Sequence, residues 1–126
     1  MTLPEIQNFL TKTLKRHHSV LKITVDKPSQ FEVIGTISAM QGKQKVEGFY
    51  FGSVIPKPKD IRLYFFPMYT HRDQLYESQS DELKKCLKGK SCYHIKKLSP
   101  EMQNEIEALI DKAVAIYQKD GLLARN

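Results

Sequence analysis

The sequence predicts an α+β fold in which an antiparallel sheet of about five strands packs with an N-terminal and a C-terminal helix. Apolar residues recur at helical spacing at both ends of the chain. Between those ends they alternate with polar residues in short segments, as in half-buried strands. Because only short turns separate these segments, we expect antiparallel pairing, since parallel strands need crossovers of about a dozen or more residues.

The two terminal helices carry clear start signals. Thr2 followed by Glu5 is a capping box, and it predicts a helix from about residue 3 to about residue 17. Ser99, with proline and glutamate directly after it, predicts the start of a second amphipathic helix that ends near Gly121. Acidic residues early in that helix and lysines late in it suit the helix dipole.

Between these helices the period-two pattern predicts the strands. They are expected at residues 21–25, 31–37, 45–55, 61–66 and 91–96. Before the last strand, Ser80 caps a short helix that carries Leu83, Cys86 and Leu87, and Gly89 is expected to end that helix in the left-handed conformation.

Length and composition predict one compact domain spanning residues 1–126. A hydrophobic fraction of 40% with 27% charged residues is ordinary for a globular protein. No stretch approaches the ~18–20 apolar residues of a membrane span, and no secretory signal is recognisable, so we expect no membrane association. The two cysteines, Cys86 and Cys92, form no disulfide framework and fit a reducing compartment. We therefore expect a cytoplasmic protein.

The net charge of +6 arises from one segment. Residues 84–97 contain six lysines and no acid, whereas the other 14 basic residues are balanced by 14 acidic ones. The six are Lys84, Lys85, Lys88, Lys90, Lys96 and Lys97. Such a concentration points to a local anionic contact. The plainer alternative is a solvated lysine surface with no ligand.

The stretch from Gly48 to Tyr117 contains distinctive phrases. They are Gly-Phe-Tyr-Phe-Gly at residues 48–52, Leu-Tyr-Phe-Phe-Pro-Met-Tyr-Thr at 63–70, and Leu-Lys-Gly-Lys-Ser-Cys-Tyr-His at 87–94. In these phrases the chain resembles the YdhG-like family of small bacterial domains. The resemblance implies an α+β fold with a curved antiparallel sheet, and for some members a proposed frataxin-like role as an intracellular iron chaperone.

The iron role fits this sequence poorly. Iron delivery by such a surface needs a ridge of Asp and Glu, because hard cations prefer oxygen ligands. The predicted first helix has one acid, Glu5, and the one strongly charged segment is positive. The resemblance therefore supports the fold better than it supports iron, and we expect no metal site and no cofactor.

The preferred functional hypothesis is a non-enzymatic binding module for a small anionic ligand or an acidic partner. Aromatic residues around the end of the fourth strand would form an apolar wall, and lysines after the short helix would supply positive charge. The residues predicted to bind the ligand are Tyr64, Tyr69, His71, Lys88, Lys90, Ser91, Cys92 and His94. Gly89-Lys90-Ser91 resembles the end of a phosphate-binding loop, but Lys84 stands where that motif needs glycine, so nucleotide hydrolysis is excluded.

Two other functions compete with this hypothesis. Cys92 and His94 share one face of the predicted last strand, and neighbouring lysines would lower a thiol pKa, so a cysteine-dependent enzyme is the alternative of a different class. Lone cysteines are, however, mostly small buried hydrophobic residues. Nucleic-acid binding is not expected, because the basic residues form one short patch instead of a stripe.

Overall fold

The computed structural model describes residues 1–125, which form five helices and eight strands. The helices are α1 (Leu3–Lys15), α2 (Pro67–Thr70), α3 (Arg72–Leu75), α4 (Asp81–Cys86) and α5 (Pro100–Lys119). The strands are β1 (Leu21–Lys27), β2 (Gln30–Gly35), β3 (Ala39–Gln41), β4 (Gln44–Val46), β5 (Tyr50–Pro56), β6 (Ile61–Phe65), β7 (Leu87–Lys88) and β8 (Cys92–Ile95).

Six of these strands form one antiparallel sheet in the order β1-β2-β5-β6-β8-β7. The remaining two, β3 and β4, pair only with each other as a small separate hairpin. The predicted α+β class is confirmed, with an N-terminal helix, a C-terminal helix and one more strand in the main sheet than the five expected.

The helix starts lie where the sequence predicts them. The backbone N–H of Glu5 donates to Thr2 Oγ1 at 3.2 Å, and the backbone N–H of Thr2 donates to Glu5 Oε1 at 2.8 Å. Ser99 Oγ accepts from the backbone N–H of Met102 at 3.2 Å at the start of α5. These contacts satisfy orphan donors of the first helical turn, so local sequence is sufficient to define both starts.

The core lies between the sheet and the two long helices. The inward side chains of the central strands and the apolar stripes of α1 and α5 form one continuous buried cluster. Phe51 is fully buried within it, and its ring makes edge contacts with Phe65 at 5.5 Å and Tyr117 at 5.7 Å between centroids. This cluster leaves the opposite face of the sheet for other contacts.

The strand predicted at residues 45–55 is wrong in extent, because it is divided between β4 and β5. The predicted 31–37 strand likewise ends at Gly35, and Ile37 is exposed. The cause is a close approach of two backbone segments, since a Cβ atom on Gly48 would overlap the carbonyl oxygen of Gly35. At this point the chain leaves the main sheet to form the β3–β4 hairpin.

The expectation that Gly89 ends the short helix is also wrong. Helix α4 ends at Cys86, and Leu87 is extended and pairs with Tyr93 in the β7–β8 hairpin. Gly89 does have a left-handed φ of 68°, but it uses this conformation in the turn of that hairpin. Strand pairing therefore replaces the last part of the predicted helix.

Within residues 1–125, none of the helices combines the length and the apolar character that crossing a membrane requires. The longest, α5, has a polar face with acids and lysines along its 20 residues.

Two buried tyrosines predict how stability depends on alkaline pH. Burial raises the pKa of Tyr93 and of Tyr117 above the ordinary range, although hydrogen bonds to Gln79 and Thr70 oppose the shift. Their stabilising contribution is complete below the unfolded-state pKa of about 10 and is lost as pH rises above it, because the unfolded chain releases these protons first. Urea unfolding across this range should show the free energy of unfolding falling less steeply for Tyr117→Phe than for the wild type. Tyr69→Phe, at an exposed ring, should follow the wild type; equal slopes for Tyr117→Phe and wild type would contradict the expectation.

Candidate functional site

The outer face of the main sheet carries a row of polar side chains. Pairing across the strands aligns Glu32 with Ser53, Ser53 with Tyr64, Tyr64 with Cys92, and Cys92 with Lys88. Strand alternation directs these side chains away from α1 and α5. The row becomes cationic toward β7, so the positive charge of the chain lies at that edge.

A groove at this edge collects four of the six lysines of residues 84–97. We call it the lysine groove; it has a volume of about 510 Å³ and lies where α4, β7, β8 and the start of α5 meet. Its lining residues are Asp60, Glu82, Lys85, Cys86, Lys88, His94, Lys96, Lys97 and Met102. Most of the lysines of the segment that carries the net charge therefore line one concave surface.

The groove is electropositive. Its four lysines face two carboxylates, and within the described residues none of these lysines lies within 4.0 Å of a carboxylate oxygen. Asp60 is nearly buried and accepts a bond from Arg62 Nε at 3.2 Å, while His94 Nδ1 lies 3.8 Å from its other oxygen. Because Arg62 already balances Asp60, the lysine charges remain available to an anion.

The groove also has an apolar component. Cys86 is half-buried against the core, and Met102 is buried at the start of α5. The methylene stems of the lysines add apolar surface while their ammonium groups stay in water. A bound molecule would thus meet charge at the rim and hydrocarbon and sulfur at the floor.

A second basic depression adjoins the lysine groove. It has a volume of about 320 Å³, shares Asp60 and Lys96 with the lysine groove, and is otherwise lined by Lys57, Pro58, Lys59 and Arg62. The β5–β6 turn thus extends the positive surface beyond residues 84–97.

The predicted aromatic wall lies elsewhere. Tyr69 stacks on Phe66 with 5.5 Å between ring centroids, and Lys90 Nζ lies 5.6 Å from the Tyr69 centroid. These residues border a depression of about 570 Å³ that is lined by Met68, Tyr69, Arg72 and Lys90. We call this surface the tyrosine platform.

The residues predicted to form one site are therefore divided. Lys88 and His94 line the lysine groove, whereas Tyr69 and Lys90 belong to the tyrosine platform. Tyr64 and Cys92 pair on the sheet face and line neither cavity. The carbonyl oxygen of Ser91 accepts from the backbone N–H of Phe65 at 2.8 Å and so joins β6 to the turn before β8.

His71 is placed in a different environment. Its Nε2 lies 2.6 Å from Asp120 Oδ2, and its Nδ1 lies 2.8 Å from Thr70 Oγ1. Thr70 Oγ1 in turn lies 2.7 Å from the hydroxyl of Tyr117. His71 thus connects α2 to the end of α5, which is a structural role.

The sequence pattern did not single out several residues of these surfaces. Asp60 and Met102 enter the lysine groove from a turn and a distant helix, and Arg72 enters the tyrosine platform from α3. Arg62, which balances Asp60 beside the groove, had a usable signal in the sequence, since it shares a strand face with Tyr64. The others are brought in by tertiary packing.

The thiols differ from what the cysteine-enzyme hypothesis needs. Burial raises the pKa of the Cys92 thiol, although Tyr64 and Arg62 oppose the shift. Burial also raises the pKa of Cys86, where Glu82 adds to the effect. The expectation that neighbouring lysines lower the pKa of Cys92 is wrong, because desolvation dominates there and the opposing cation is Arg62; at Cys86, desolvation outweighs Lys88.

Because the pKa of the Cys92 thiol is raised, we expect this thiol to be alkylated slowly. In a Cys86→Ser variant, iodoacetamide should alkylate Cys92 at neutral pH several-fold more slowly than it alkylates N-acetylcysteine, because less of the thiol is ionised and the side chain is half-buried. In concentrated urea the two rates should converge. A native rate above that of N-acetylcysteine would instead indicate an activated cysteine and would revive the enzyme hypothesis.

No group of three or more His, Cys, Asp and Glu side chains among residues 1–125 is placed to share a metal ion. The frataxin-like role therefore stays a prediction from the resemblance.

Comparison with known proteins returned no relatives. No family model matches the chain, and neither a curated protein nor a solved structure matches it significantly. The resemblance to the YdhG-like family thus stays a prediction from the sequence.

Proposed function

We propose that the protein binds a small organic anion in the lysine groove and that it acts as a binding module without catalysis. The observation that carries the proposal is the convergence of Lys85, Lys88, Lys96 and Lys97, with His94, on one concave surface. Unpaired ammonium groups gathered in this way repel one another, so a bound anion would relieve that repulsion.

The composition of the groove favours a ligand with both a charged and an apolar part. A carboxylate or phosphate would lie among the ammonium groups, and a small hydrocarbon part would contact Cys86 and Met102. The volume of about 510 Å³ falls within the range of about 300–1,000 Å³ that is usual for small-molecule sites. These features favour a small molecule over an acidic protein partner, which would need a broader complementary surface.

Two free cysteines suit the reducing environment of the cytoplasm, and we place the protein there in this proposal. A frataxin-like iron role and a Cys92/His94 enzyme are not favoured: the groove is cationic, and the pKa of Cys92 is raised.

A charge-reversal experiment tests the proposal. Phenyl phosphate combines an anion with an apolar ring and serves as the probe, and its affinity is measured by isothermal titration calorimetry. Lys88→Glu combined with Lys97→Glu should weaken binding by about tenfold or more, equivalent to about 1.4 kcal/mol, because two attractive charges become repulsive. Rising salt should weaken the wild-type complex as well.

The chain offers a matched control on the β3–β4 hairpin. Lys43→Glu combined with Lys45→Glu makes the same change in net charge at two exposed positions outside the groove. This control should keep nearly the wild-type affinity. If both double variants lose affinity equally, binding responds only to overall charge, and the lysine groove is not the site.

A further inference from the structure

The tyrosine platform holds an aromatic ring that is exposed and yet fixed in position. Tyr69 is 56% exposed, the largest exposed fraction among the large apolar and aromatic side chains of the described residues. Phe66 stacks on it with only 16° between the ring planes, and Tyr50 packs on Phe66 in turn. The backbone N–H of Tyr69 donates to the carbonyl oxygen of Phe66 at 2.8 Å, which fixes the start of α2.

A ring held in this way is suited to stacking. A mobile exposed tyrosine would lose side-chain entropy on binding a partner, whereas a ring already supported by an aromatic stack loses less. The rest of the outer-face aromatics are half-buried, so the platform presents one ring and not a series of them.

Two cations border the same depression as this ring, one of them over Tyr69 and the other over the neighbouring Tyr76. Lys90 Nζ lies 5.6 Å from the Tyr69 centroid, and the Arg72 guanidinium lies 4.2 Å from the Tyr76 centroid. Within residues 1–125 neither cation has a carboxylate within 4.0 Å. Both line the same depression as Tyr69, with Met68 at its buried side.

We propose that the tyrosine platform binds a nucleoside monophosphate, with the base stacked on Tyr69 and the phosphate held by Arg72 and Lys90. A base on Tyr69 would take the place of the Lys90 ammonium, which then pairs with the phosphate. Arg72 can hold phosphate oxygens through two parallel N–H donors.

The size of the site favours one nucleotide over a nucleic-acid strand. The depression of about 570 Å³ accommodates one small molecule. Single strands are instead bound along a groove with successive aromatic platforms, and this surface offers one. The tyrosine platform shares no residue with the lysine groove, so either proposal can be wrong while the other is right.

The experiment titrates adenosine 5′-monophosphate into isotopically labelled full-length protein carrying Lys88→Glu and Lys97→Glu, so that the lysine groove is impaired. Amide signals of Tyr69, Arg72 and Lys90 are followed by NMR. Adenosine tests the base alone, and ribose 5-phosphate tests the phosphate alone. We expect each fragment to bind at least about tenfold more weakly than the nucleotide, since each uses half of the site.

Variants of the platform separate stacking from a structural effect. Tyr69→Leu should weaken nucleotide binding by about tenfold, in line with the loss of one base–aromatic stack, and Tyr69→Phe should retain it. Arg72→Gln should weaken the binding of the nucleotide and leave the affinity for adenosine unchanged. Circular dichroism of each variant checks that the fold is intact.

Three outcomes would overturn the proposal. One is the absence of nucleotide-dependent shifts at the platform, and another is affinity that Tyr69→Leu leaves unchanged. The third is binding of a thymidine oligonucleotide without any binding of mononucleotides, which would identify a single-strand interface instead.

Discussion

Replacing Phe51 by alanine should lower the free energy of unfolding by about 3–5 kcal/mol, the range for truncating a buried phenylalanine. The ring is fully buried and makes edge contacts with Phe65 and Tyr117, so its removal leaves a cavity between the sheet and α5. Register explains its position, since Phe51 is the extra residue of a bulge between β2 and β5. The surrounding backbone is held by both neighbouring strands and has little freedom to collapse into the space.

Urea unfolding monitored by circular dichroism measures this loss. Phe9→Ala on α1 is the matched control, because it makes the same substitution at a partly exposed ring. We expect Phe9→Ala to lower the free energy of unfolding clearly less than Phe51→Ala does. Equal losses for the two variants would mean that Phe51 is not the central packing residue that the geometry indicates.

Gly48→Ala is the second substitution for which we expect a large loss in the free energy of unfolding. A Cβ atom at this position would overlap the carbonyl oxygen of Gly35, which is backbone and has no rotamer that avoids it. The adjacent hydrogen bond from Gly35 N–H to the Phe49 carbonyl holds the two segments together at 2.8 Å. We expect a loss of about 3 kcal/mol, the upper end of the usual cost of overpacking.

Gly42→Ala provides the contrast for that measurement. Gly42 has a φ of 65° and open space around its Cα, so alanine there meets only the backbone strain of the left-handed region, about 1–2 kcal/mol. Thermal and urea unfolding of both variants should rank Gly48→Ala as the more destabilised. The reverse order would show that the two segments separate easily and that the close approach is unimportant.

Local signals explain how much of the fold was predictable. The capping contacts of Thr2 and Ser99 involve residues three positions away, so the sequence contains the whole arrangement. The alternation of Leu63 and Phe65 with Tyr64 matches the burial along β6, where Leu63 and Phe65 are buried and Tyr64 is half-buried. Gly89 was harder to interpret, because a left-handed glycine serves a helix end and a hairpin turn equally well.

The candidate surfaces were only partly predictable, for a different reason. The lysine concentration was evident, but Lys88 ends β7 whereas Lys90 lies in the β7–β8 turn, and the two enter different depressions. Asp60 and Met102 reach the lysine groove only because β6 and α5 pack around it. Contacts of this kind depend on the packing of elements that are distant in the sequence, and no local pattern encodes them.

The most direct test of the lysine groove is to locate a bound anion by NMR. Isotopically labelled wild-type protein is titrated with phenyl phosphate, and the amide shifts are mapped onto the chain. We expect the largest saturable shifts at Lys85, Lys88, His94 and Lys97, smaller shifts with inorganic phosphate, and none with benzyl alcohol. Saturable shifts confined to residues outside the lysine groove, or no saturable shifts at all, would contradict the proposed function.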